Sequence, residues 1–345
     1  MVLSAAMIIS ITLVLAVIFV NGWTDAPNAI ATAVSTRCLS PRAAVLVAVV
    51  FNTIGAGVMT LFNAKVAETI SKMVSFEAAS HLQANAPLIV LAASLSAIVI
   101  WATAAWYFGI PTSESHALIA GITGGALALG NGLSAINMAE WKKVFYGLGI
   151  SSVLGFVSGF VIVHLIQQIF KHVKRATANT FFTGGQIFGA SWMAFMHGAQ
   201  DGQKFMGVFM LALYLNHAAS RSADGSFRVE WWLIILTSLV MGLGTSVGGW
   251  RIIKSVGMDM VRLEKYQGFA ADIAAASCLL LSSLTGIPVS TTHTKTTAIM
   301  GVGTARRLSS VNWSIVKDMV LAWILTFPGC GLIGYLMAKL CLLIF

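Results

Sequence analysis

Ten apolar runs dominate the chain, at about 5–20, 43–62, 87–108, 117–130, 144–170, 181–199, 231–250, 268–285, 294–305 and 316–344. Several reach the ~20 residues that a helix needs to cross the hydrocarbon core of a bilayer. The runs are continuous rather than alternating. Lipid offers no hydrogen bonds, so a spanning backbone must satisfy its own groups, and unbroken apolar runs do that as helices rather than as a closed barrel. The composition agrees: 57% of residues are hydrophobic, only 10% are charged, and the mean hydropathy is +0.85. Soluble domains carry about 25% charged residues. The expectation is an all-α integral membrane protein with about 10–12 transmembrane helices. The first run lacks a basic leader and a small-residue cleavage site, so it reads as a retained helix.

A net charge of +9 fits basic cytoplasmic loops better than nucleic-acid binding, so the expected surroundings are membrane lipid and no nucleic acid. On alternating loops, twelve Lys and Arg fall on one side, from Arg37 and Arg42 to Arg306, Arg307 and Lys317; seven fall on the other, Arg221 and Arg228 among them. The richer side is expected to be cytoplasmic, which puts both termini outside a plasma (inner) membrane. The four cysteines have no metal-ligand spacing and read as packing residues.

Two pairs of motifs recur. TDAPNAIAT places Asp25 84 residues before Gly109 of GIPTSESH, and GAQDGQKFMG places Asp201 85 residues before Gly286 of GIPVSTTH. The same order at matched spacing indicates duplication: a first repeat over 1–170, a basic connecting loop over 171–180, and a second repeat over 181–345. Five segments per half is an odd number, so the halves should enter the membrane from opposite sides, as inverted-topology repeats. The runs after each GIP are short and glycine-interrupted, which in such proteins points to interrupted helices or hairpins at the substrate site. Pro111 and Pro288 break a helix and free backbone N–H groups.

Asp25, Glu114, His116, Asp201, Lys204, His293 and Lys295 lie in or beside these breaks. A charged group at mid-membrane costs about 2.5–3.5 kcal/mol even on lenient scales. Internal salt bridges, for instance Asp201 with Lys204 or Lys295, could account for some of them. Two symmetric sets favour an ion pathway. Thr112, Ser113 and Ser115 answer Ser290, Thr291 and Thr292, and hydroxyls at a helix N-terminus make an anion cradle. For any single Ser or Thr, a helix cap is the plain alternative. His116 and His293 are candidates for orienting the hairpins or assisting a proton. His197 ranks below them, and Asp272 has no evident counterpart.

NGWTDAPNAIAT with GIPTSESH, and HGAQDGQKFMG with GIPVSTTH, resemble the two signature repeats of the inorganic phosphate transporter family (PiT, solute carrier family 20) over nearly the whole chain. The resemblance implies inorganic phosphate as substrate, taken up with H⁺ or Na⁺ as coupling ion and no other cofactor, by a homodimer. It assigns Thr112, Ser113, Ser115, Ser290, Thr291 and Thr292 to phosphate. It assigns Asp25, Asn28 and Asp201 to cation coupling, with Na⁺ at Asp25 and Asn28. Lys204 stands where the first motif has Asn28, so its ammonium is expected to replace a second cation or to couple protons with Asp201. Gln200 stands where the family often has Asn. Thr32, Gln200, Glu114, His116, His293 and Lys295 are secondary candidates. Glu114 answers Thr291 and breaks the symmetry: it either selects phosphate over sulfate or pairs with Lys295.

No enzymatic activity is expected. A hydrolase built on Ser113 and His116 would lack both a G-x-S-x-G elbow and an HExxH motif. The standing alternative is a permease for sulfate, another oxyanion or a metal phosphate on the same scaffold.

Overall fold

The computed structural model describes residues 5–75, 85–130, 132–216, 218–220, 227 and 229–344. Arg221 and Arg228, counted above, lie outside the described residues. Among the described residues thirteen α-helices appear in order: α1 (Ala5–Thr24), α2 (Pro27–Ser35), α3 (Pro41–Phe62), α4 (Lys65–Ser71), α5 (Ala86–Tyr107), α6 (Glu114–Ala128), α7 (Met138–Phe170), α8 (Arg175–Leu215), α9 (Trp231–Ser246), α10 (Trp250–Lys254), α11 (Lys265–Thr285), α12 (Thr291–Arg306) and α13 (Trp313–Ile344). Among the described residues there is no β-strand, only two isolated bridges, Val74–Ile136 and Val261–Val311.

Among the described residues six helical stretches are long and apolar enough to cross a membrane: Ala5–Ser35, α3, α5, α7, α11 and α13. A seventh is α9 with the turn after it, Trp231–Ser246 and Trp250–Asp259, bent by 67°. This is fewer than the about ten to twelve crossings that the apolar runs suggest, and the difference has two sources. The runs at 117–130 and 294–305 become α6 and α12, with 15 and 16 residues, too short to cross. The run at 181–199 belongs to α8, which continues for 41 residues through Asp201 and Lys204 and is too polar in its middle to count by composition. Most of the connection at 171–180 is also helical, since α8 starts at Arg175.

The first Asp motif interrupts its helix and the second does not. Asp25 and Ala26 separate α1 from α2, because Pro27 has no N–H to donate and its ring crowds the preceding turn. In α8 the equivalent position is Gln203, and the helix runs on. The two hairpins close alike. Gly109 (φ +70°) and Gly286 (φ +74°) take the left-handed conformation that ends α5 and α11. Their N–H groups bond Trp106 O at 2.9 Å and Ser283 O at 3.3 Å, and Ile110 and Ile287 bond Ala105 O and Ser282 O, both at 3.0 Å. This is the Schellman pattern, in which only glycine avoids a Cβ penalty. Proline then prevents the helix from resuming, and Ser113 and Ser290 cap α6 and α12.

Packing between the two halves is reciprocal. α3 lies on α8 while α9 lies on α1; α6 lies on α13 while α12 lies on α7; α5 packs on α1 and α13, and α11 on α8 and α7. The crossings are close enough to require glycine. A Cβ on Gly55 would fall into the carbonyl of Phe195, and one on Gly244 into that of Phe19. Small residues at such crossings let helix backbones approach where lipid supplies no hydrophobic driving force.

Gly55→Val should therefore lower the melting temperature in detergent by several degrees, since overpacking typically costs about 1–3 kcal/mol. Gly149→Ala is the control. Its Cβ meets nothing within 4 Å, and its greater helix propensity should leave the melting point equal or higher.

Candidate functional site

The break between α1 and α2, the middle of α8 and the N-termini of α6 and α12 meet at one buried cluster. Asp25 is 2% exposed and Asp201 is fully buried. Thr291, the first residue of α12, donates to both carboxylates, to Asp25 Oδ2 at 3.3 Å and Asp201 Oδ2 at 3.2 Å. The two Asp motifs thus form one site rather than two.

Around each aspartate the same triangle is built from different residues. Asn28 Nδ2 donates to Asp25 Oδ1 at 2.7 Å and to Thr292 Oγ1 at 3.1 Å, and Thr292 also donates to Asp25 Oδ1. Lys204 Nζ donates to Asp201 Oδ1 at 2.6 Å and to Ser115 Oγ at 2.7 Å, and Ser115 also donates to Asp201 Oδ1, at 3.4 Å. The Lys204 ammonium therefore occupies the place that the Asn28 amide holds in the other triangle. Its third bond goes to Val289 O at 2.6 Å, which ties α8 to the second hairpin.

Two residues that the sequence reading passed over or ranked low complete the cluster. Asn21 Nδ2 donates to Asp201 Oδ2 at 3.2 Å. His197 lies between Asp201 Oδ2, at 3.4 Å, and Asn52 Oδ1, at 3.1 Å. Each stands one helical turn before an aspartate, as N-x-x-x-D and H-x-x-x-D, so the repeat spacing itself could have found them. The side-chain oxygens Asn21 Oδ1 and Asn28 Oδ1 are buried without a hydrogen-bond partner. With the two carboxylates they make an oxygen-rich donor set suited to a hard cation such as Na⁺. Ligand atoms of Asp25, His197 and Asp201 lie within 4.8 Å of one another.

Other expected residues take other places. Ser113 and Ser290 serve as N-caps, accepting from His116 N at 3.2 Å and His293 N at 3.1 Å. Their hydroxyl hydrogens remain to be donated. Thr112 is half-buried just before the cap and outside the bonded cluster. The His116 and His293 rings meet edge-on at 4.6 Å, where α6 and α12 touch, and His293 stacks on Trp323 at 3.8 Å. Gln200 donates to Ile287 O at 3.3 Å and steadies the second hairpin.

Lys295 joins neither Asp201 nor Glu114. It forms an ion pair with Asp272, and Thr32 and Gln186 donate to the same carboxylate, at 2.8 Å and 2.6 Å. Asp272, which the sequence reading left without a role, holds this second cluster together. Thr32 thus lies one turn beyond Asn28, in the ion-pair cluster rather than with the aspartates.

A family model, the Phosphate transporter family, matches residues 21–334. The chain belongs to this family. It is therefore a multi-pass membrane transporter of the phosphate class, not an enzyme. Similar proteins include one from Bacillus subtilis (strain 168), a probable low-affinity inorganic phosphate transporter, 37% identical over 316 residues that cover 92% of this chain and 91% of the relative. A protein of the same description from Rhizobium meliloti (strain 1021) is 38% identical over 319 residues, again 92% and 91%. Among solved structures, the sodium-dependent phosphate transporter superposes with a TM-score of 0.88 at 23% identity, over 99% of this chain and 100% of that one. At that identity the likeness concerns the fold.

Removing one partner of a buried ion pair typically costs about 3–5 kcal/mol, whereas an apolar pair of similar volume is often neutral. At the matching positions of the first half stand Leu95 and Leu118, both fully buried. Asp272→Asn should strongly destabilise the protein in thermal melts, and the double variant Asp272→Leu with Lys295→Leu should recover most of that loss.

Proposed function

We propose that this chain imports inorganic phosphate across the plasma membrane by symport with H⁺ or Na⁺, through alternating access between two inverted repeats spanning 1–170 and 181–345. The observation that carries the reading is the convergence of α12 and α6, each contributed by a different half, on Asp25 and Asp201. The anion would sit between the two hairpin tips. It would take donors from Ser113 and Ser290, from Thr112 beside them and from the free N–H groups that begin α6 and α12, and from Ser115, Thr291 and Thr292 once a bound cation relieves their bonds to Asp25 and Asp201. The relatives' descriptions name inorganic phosphate, and the reciprocal packing of the halves is what an inverted duplication would produce.

Charge balance supports cation coupling. Asp25, Asp201 and Glu114 are three buried carboxylates, and Lys204 is the one buried ammonium bonded among them. Adding a phosphate anion deepens the deficit at a depth where unpaired charge is costly. One coupling cation would lie at Asp25 with the oxygens of Asn21 and Asn28. At the mirror position Lys204 supplies its own charge and takes the place of a second.

Alternating access would follow from rocking one repeat against the other about this site. A cavity of about 810 Å³ lined by Arg262, Arg306 and Arg307 lies near the far end of α12, on the side whose loop charges point to the cytoplasm. It would serve as the inner mouth, with both termini outside. Exposed apolar side chains such as Leu46, Ile150, Leu154, Ile324 and Leu336 would face lipid, or a second copy in a homodimer.

In proteoliposomes, an inward Na⁺ or H⁺ gradient should accelerate radiolabelled phosphate uptake. Lys204→Asn should add about one cation to the number transported per phosphate. An unchanged stoichiometry in a transporting Lys204→Asn variant would show that the lysine does not stand in for a cation.

A further inference from the structure

We propose that Glu114 is the residue that distinguishes hydrogen phosphate from sulfate, by accepting the hydrogen of the substrate's P–O–H group. This rests on the phosphate reading above and gives it a specificity determinant.

Glu114 opens α6 and is 2% exposed. Its Oε2 is buried without a hydrogen-bond partner. Asp25 and Asp201 lie within electrostatic range of the carboxylate. The nearby buried cations are committed elsewhere, Lys204 to Asp201 and Lys295 to Asp272. Glu114 is therefore a buried oxygen acceptor, next in sequence to Ser113 and Ser115, that lacks a basic partner among the described residues.

Its counterpart in the second half sharpens the point. Thr291 is a donor and spends its hydrogen on both aspartates. Glu114 reverses that polarity, since an ionised carboxylate can only accept. The groups beside it that keep a hydrogen to give are the Ser113 and Ser290 hydroxyls and the helix N-terminal amides, which donate. Hydrogen phosphate presents acceptor oxygens for all of them and one P–O–H for Glu114. Sulfate presents acceptors only, so one of its oxygens would face the unpartnered Oε2 lone pairs. A site built to bond a substrate hydroxyl rejects the analogue lacking it by about 10⁴–10⁵. Arsenate carries an As–O–H group and should be treated like phosphate.

The test is competition against radiolabelled phosphate uptake in proteoliposomes, with sulfate and arsenate as competitors, in the native protein and in Glu114→Gln. The glutamine keeps the shape and adds a donor that sulfate can accept. In the native protein, arsenate should compete and sulfate should not, even at large excess. In Glu114→Gln, sulfate inhibition should strengthen at least about tenfold while the arsenate-to-phosphate ratio holds. Phosphate uptake by the variant with sulfate still excluded would overturn the proposal and leave the phosphate reading standing. If the variant does not transport, direct binding of radiolabelled sulfate to purified Glu114→Gln decides. Sulfate binding supports the proposal, and loss of both anions makes Glu114 structural and overturns it. No phosphate uptake by the native protein would instead overturn the phosphate reading itself.

Discussion

Two aspartates that cannot leave each other's field organise this molecule. Asp25 and Asp201 come from opposite halves, are buried and share the hydroxyl of Thr291. Bringing like charges together in a poorly solvating interior is tolerable only with compensating donors and positive charge. The surrounding residues supply the donors: Asn21, Asn28, Ser115 and Thr292. Lys204 supplies one charge. What remains uncompensated is what a coupling cation would provide, and so the electrostatics of the site and its proposed transport cycle are the same problem.

The near-symmetry of the packing makes its exceptions informative. Asn28 and Lys204 hold equivalent positions with different charge. Glu114 and Thr291 do so with opposite hydrogen-bond polarity. Leu95 and Leu118 answer Asp272 and Lys295, so a buried ion pair ties α11 and α12 to α2 and α8 where the other half has simple apolar contact. A scaffold that accepts leucine at these positions does not need an ion pair for packing alone. Each difference makes the two halves unequal in charge or in hydrogen-bond polarity.

Much of this was legible in the sequence, for physical reasons. Continuous apolar runs can only be helices in lipid, and Gly-Ile-Pro after such a run stops a helix as observed at Gly109 and Gly286. The paired spacing of Asp25 with Gly109 and of Asp201 with Gly286 pointed to the residues that converge. The number of spanning helices was less legible. Hydropathy cannot tell a 15-residue half-helix from a crossing, nor see that α8 runs through Asp201 without a break because Gln203 replaces Pro27. Partner choice was the least legible. Lys295 was open to Asp201 or Glu114 in the sequence, and only the tertiary approach of α11 selects Asp272. Asn21 and His197 were visible one turn before each aspartate, yet neither is a group that sequence patterns mark as costly to bury.

The most direct measurement is equilibrium binding of radiolabelled phosphate to the purified protein across a titration of Na⁺ at fixed pH, repeated across pH without Na⁺. If the site lacks positive charge until a cation enters, phosphate affinity should rise with Na⁺ or with protons, and the cation's affinity should rise by the same factor when phosphate is present. Phosphate affinity that stays constant across both titrations would mean that the cluster is already balanced, and would contradict the account.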